Sequence, residues 1–66
     1  MIDSPDIYRA AKLVIDQHGD GAALHAAQRA DELLADGDPE GSAVWRHILA
    51  AIEELRRGRW PGEREN

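Results

Sequence analysis

The 66-residue chain contains no cysteine and no phenylalanine, and its aromatic residues are Tyr8, Trp45 and Trp60. Without cysteine it has neither disulfides nor thiolate metal ligands, two of the usual supplements to a core too small to stand alone. No apolar run approaches the roughly 18 residues of a membrane span. Met1-Ile2-Asp3-Ser4-Pro5-Asp6 places two carboxylates where a secretory leader carries basic residues, so the sequence reads as cytoplasmic and not membrane-bound. Alternating β-branched runs bounded by turn residues, the mark of strands, are also missing.

The net charge of −5 is unevenly distributed. Residues 1–55 hold Arg9, Lys12, Arg29 and Arg46 against eleven carboxylates, a net of −7, while residues 56–66 hold four arginines against Glu63 and Glu65, a net of +2. An acidic body repels phosphate, which argues against general nucleic-acid binding by that part of the chain.

Three helical patterns account for most of the residues. Ser4-Pro5-Asp6 is a helix start: a hydroxyl cap, a proline where no donor is needed, and a carboxylate at the positive end of the dipole. Ile7, Tyr8, Ala11, Val14, Ile15 and His18 then recur along one side until Gly19. Asp20 is the expected cap of a second helix with an inner stripe of Ala23, Ala26, Ala27, Ala30, Leu33 and Leu34. Gly37-Asp38-Pro39-Glu40 reads as a terminator, a cap and a first turn in succession, so capping explains the whole loop. A third helix carries Val44, Trp45, Ile48, Leu49, Ala51, Ile52 and Leu55 on a broad apolar face, with Glu53 and Arg57 spaced to pair.

The expected fold is all-α: a small bundle of three antiparallel helices over about 5–18, 21–36 and 39–57, joined by short turns within a domain spanning residues 1–58. Residues 59–66 read as a flexible basic tail. A chain this short buries only about 60% of the surface its unfolded form exposes. The breadth of the third helix's apolar face therefore predicts a homodimer in which the first and third helices share a core.

Two resemblances follow from particular residues. The helix, "DGDPEG" turn and helix from Ala22 to Leu55 look like one tetratricopeptide-type hairpin, but without that repeat's aromatic and glycine positions. Over Ala11 to Leu55 the chain resembles a family of short bacterial proteins of unknown function, sharing the segments "AKLxIDQHG", "RADELL", "GDxxG" and "WxxIxxAIEEL". That resemblance implies an independent small domain and no activity.

Chemistry-bearing residues are few. His18, Asp20 and His25 flank the first turn, but their spacing fits no zinc pattern, and His18 has a sufficient role beside the C-terminal end of a helix dipole. Ser4 and Ser42 sit at helix starts with no histidine in a nucleophile motif, and a chain of this size leaves little volume for a substrate pocket. No catalytic residue, cofactor or metal is assigned.

The candidate interaction residues are Tyr8, Trp45, Leu49, Ile52, Arg56, Arg57, Arg59 and Trp60. They imply a protein–protein interaction module, an adaptor, regulator or inhibitor, offering an acidic helical surface to an unidentified protein partner. The alternative is a nucleic-acid-associated regulator using Arg56, Arg57 and Arg59 beside Trp60 as a charged stacking surface. A helix-turn-helix reading of the Gly37 corner finds only Arg46 as a cation on the front half of its recognition helix.

Overall fold

Pro5 opens the first helix in a computed structural model that describes residues 5–58. Ser4, and the segment expected to be a flexible tail with its Arg59 and Trp60, lie outside the described residues. The helices are α1 (Pro5–His18), α2 (Ala22–Ala35) and α3 (Pro39–Arg56), with a 3-10 turn over Gly19–Gly21 between the first two. Helical conformation therefore runs without a coil residue from Pro5 to Ala35 and resumes at Pro39. The described chain is all-helical in two runs, the first of them broken once.

The break at Gly19 takes the positive φ of +56° that its glycine was expected to supply. The expected cap at Asp20 is not formed. Gly21 is the N-cap of α2 and has no side-chain cap bond, because the 3-10 turn keeps the path helical and the Ala22 N–H already donates to the Gly19 carbonyl. A helix entered from another helix exposes few orphan donors, and a capping carboxylate has little left to satisfy.

The corner between α2 and α3 follows the sequence reading closely. Gly37, at φ +84°, closes α2 in a conformation that side chains with a Cβ adopt only at a cost. The Asp38 N–H donates to the Leu33 carbonyl at 2.8 Å and the Gly37 N–H to that of Leu34 at 3.1 Å, the paired bonds of a Schellman ending. Asp38 then turns to the next helix, its Oδ1 accepting from the Gly41 N–H at 2.9 Å. A Cβ on Gly41 would meet Asp38 Oδ2 at 2.5 Å, so that glycine leaves room for the cap.

The core joins all three helices within one chain. It comprises Ala11, Val14, Ala22, Ala26, Ala30, Ile48, Ala51, Ile52 and Leu55, with Ile7, Tyr8, Ala10, Ile15, Ala23, Trp45 and Leu49 packed partly against it. α2 and α3 make the most extensive contact, and α1 lies mainly on α3. The Cα atoms span 44 × 27 × 14 Å. Two helices packed at ordinary separation already measure about 14 Å across their backbones, so the fold is no more than two helices deep in its thin direction.

Several expected positions shift. The α2 stripe centres on Ala22, Ala26 and Ala30, and Leu34 is exposed; in so alanine-rich a helix, burial is nearly equal on adjacent faces and the neighbours decide its direction. Val44 is exposed and Ser42 is buried instead. Glu53 and Arg57 do not pair; the ion pairs among the described residues are Arg9–Asp6 at 3.9 Å and Arg29–Glu32 at 2.7 Å. Within the single chain the apolar faces of α1 and α3 pack against each other.

Candidate functional site

One cluster draws side chains from both helical runs to the break at Gly19–Gly21. His18 ends α1 and His25 begins the second turn of α2. The short 3-10 turn folds the path enough to stack their rings, with centroids 4.0 Å apart and planes 16° apart. Trp45 of α3 meets His25 edge to face, centroids 5.6 Å apart at 81°. Arg29, one helical turn beyond His25, sets its guanidinium 5.9 Å from the centre of the Trp45 ring and donates to Glu32 Oε1 at 2.7 Å. From α3, Arg56 donates to the Gly19 carbonyl at 2.9 Å.

Each contact has a local reason. The last carbonyls of α1 lack helical partners and carry the negative end of its dipole, so a guanidinium from a neighbouring helix suits the Gly19 oxygen. The offset ring arrangements are those the aromatic quadrupole favours, and Arg29 adds a cation at the face of the indole. His18 is exposed, while His25, Arg29 and Trp45 are half-buried.

The cluster brings together some of the sequence candidates and separates others. Trp45 and Arg56 belong to it, together with His18 and His25, which sequence reasoning had associated only as possible metal ligands. Parallel ring planes do not converge on one ion, and among the described residues no group of three histidine, aspartate or glutamate side chains is placed to hold a metal. Leu49 is half-buried and Arg57 is exposed at the C-cap of α3. Ile52 is fully buried at the centre of the core and offers no surface in this state. Tyr8 stands apart from the cluster, its hydroxyl donating to Glu54 Oε1 at 2.7 Å. The closeness of Arg29 to Trp45 depends on the α2–α3 register, which sequence spacing does not supply.

A second surface feature was not anticipated from chain length. On the outer side of α1, Asp6, Arg9, Ala10, Lys12, Leu13 and Asp16 line an open groove of about 510 Å³. Among the described residues its lining comes from α1 alone. Among the described residues Leu13, at 55% exposure, is one of four large aliphatic side chains in solvent, with Leu24 at 63%, Leu34 at 49% and Val44 at 46%. Among the described residues no helix is long and apolar enough to cross a membrane.

Compared with protein-family models, with curated proteins and with solved structures, the chain gives no match to any of the three.

Proposed function

We propose that the chain is a non-catalytic helical interaction module, a three-helix unit that works as a homodimer and offers an acidic surface to a further protein partner. The observation that carries this reading is a comparison of side chains. Among the described residues Val14, Ile48, Ile52 and Leu55 are the large aliphatic residues in the core, and an equal number, Leu13, Leu24, Leu34 and Val44, stand about half or more in solvent. A fold with so small an interior and so much apolar surface gains most from covering that surface with another chain.

The chemistry of the rest of the surface favours a basic protein as the further partner. Of the ten carboxylates among residues 5–58, nine are exposed, Glu54 being half-buried. Such a surface steers cationic partners and repels nucleic acid. Arg56, one of the cations of the alternative nucleic-acid reading, is already engaged with the Gly19 carbonyl. Kinship with the short bacterial family that the sequence resembles is part of the same proposal and adds no activity to it.

Light scattering over the micromolar range tests the homodimer. The expected result is a mass rising toward twice the 7.3 kDa of the chain, with Leu24→Glu and Leu13→Glu remaining helical but monomeric. A 7.3 kDa species at every concentration overturns it.

A further inference from the structure

The stacked imidazoles bridge the Gly19–Gly21 break within the first helical run. His18 and His25 lie ring to ring at 4.0 Å, and the second of them abuts Trp45 on α3. A single proton suits this arrangement, because an imidazolium over a neutral aromatic face is attractive. Two protons do not, since the rings then become like charges at contact distance. Imidazole is the side chain whose charge ordinarily changes between about pH 5 and pH 8.

Charged residues come from every element around the stack. On α1 and the 3-10 turn, the charged residues within four positions of either ring are Asp16 and Asp20; α2 contributes Arg29, already paired with Glu32. α3 contributes Arg56, bonded to Gly19, and Arg46 beside Trp45 in the chain.

We propose that the His18–His25 stack is an acid-sensitive clasp. With at most one ring charged it holds the α1–α2 junction against Trp45 of α3; with both charged the rings separate and the Gly19–Gly21 turn loosens. The Arg56 bond to Gly19 and the apolar contacts of Ala11 and Val14 keep α1 attached, so the opening is local and helicity is retained. This inference concerns the state of the fold and stands apart from the dimer proposal.

The experiment is NMR of the full chain between about pH 8 and about pH 5, following the three histidine rings, the Trp45 indole and amide exchange at residues 19–22. In the wild type, protection of those amides, corrected for intrinsic exchange, falls about fivefold in acid, the ratio set by two unit charges at that separation in water. The Trp45 indole moves with it. His18→Gln, at an exposed position, loses both effects, His25→Gln does the same, and His47→Gln keeps them. Equal acid responses in the wild type and in His18→Gln, or no loss of protection in the wild type, overturn the proposal. Circular dichroism on each variant shows that the helices are intact, and a wild type that loses helicity in parallel with protection also overturns it.

Discussion

The Tyr8 hydroxyl and Glu54 Oε1, 46 positions apart in sequence, are joined at 2.7 Å and tie the first turns of α1 to the last turns of α3. Both groups are half-buried, so the bond is neither fully screened by water nor costly to desolvate. Hydrogen bonds to charged acceptors contribute about 1.5–3 kcal/mol when well sheltered and less at partial exposure. Tyr8→Phe is therefore expected to lower stability by about 1 kcal/mol while the ring keeps its packing against the core. Urea denaturation followed by circular dichroism measures this. A midpoint equal to that of the wild type would show that the bond contributes nothing net.

The corner at Gly37-Asp38 yields a paired prediction. Asp38→Ala removes the acceptor that caps α3 and costs about 1 kcal/mol, whereas Asp38→Asn keeps an acceptor and costs only a few tenths. Gly37→Ala places a Cβ at φ +84° and costs about 1 kcal/mol without any steric clash, since nothing lies within 4 Å of the new atom. Thermal melts of the three variants check the order: Asp38→Asn closest to the wild type, Asp38→Ala and Gly37→Ala both clearly lower.

How far the sequence carried depended on whether a residue's role was local. Gly19, Gly37, Asp38 and Pro39 act through their own backbone geometry or through amides three residues away, and their roles were readable directly. Trp45 was placed on the apolar face of the third helix by spacing alone, and there it packs partly against the core. The stripe of α2 was read correctly at Ala26 and Ala30, but Ala22 was left out of it and Leu34 included, because alanines on neighbouring faces look alike and only packing selects among them. The His18–His25–Trp45–Arg29 cluster was invisible as a unit. It depends on the 3-10 bend and on helix register, neither of which leaves a periodic trace, and the expectation of an Asp20 cap pointed to a different junction.

Ser42 is the exception in the core. Its side chain is 2% exposed and its hydroxyl has no hydrogen-bond partner among the described residues. An unsatisfied buried hydroxyl costs about 1–3 kcal/mol, and alanine is the better helix former. Ser42→Ala is expected to raise stability by about 1 kcal/mol, read as a higher urea midpoint with an unchanged slope. A lower midpoint would mean that the hydroxyl is hydrogen-bonded in solution and stabilises the helix start.

Ile52 and Leu24 separate the interior from the surface proposed for a partner. Ile52 is fully buried and the largest side chain so enclosed; Leu24 is 63% exposed. Truncating a buried isoleucine costs about 2–5 kcal/mol, a large share of what so small a domain possesses. Ile52→Ala should therefore abolish a cooperative melt at any protein concentration. Leu24→Ala removes almost no intramolecular contact and should leave the melt of dilute protein within a degree or two of the wild type. Its effect belongs to association: a dimer's melting temperature rises with concentration because assembly stabilises the folded state by mass action. The wild type is expected to show that rise and Leu24→Ala to lose most of it. If both proteins melt independently of concentration, the exposed aliphatic residues do not join copies of this chain, whatever the stability of the core beneath them.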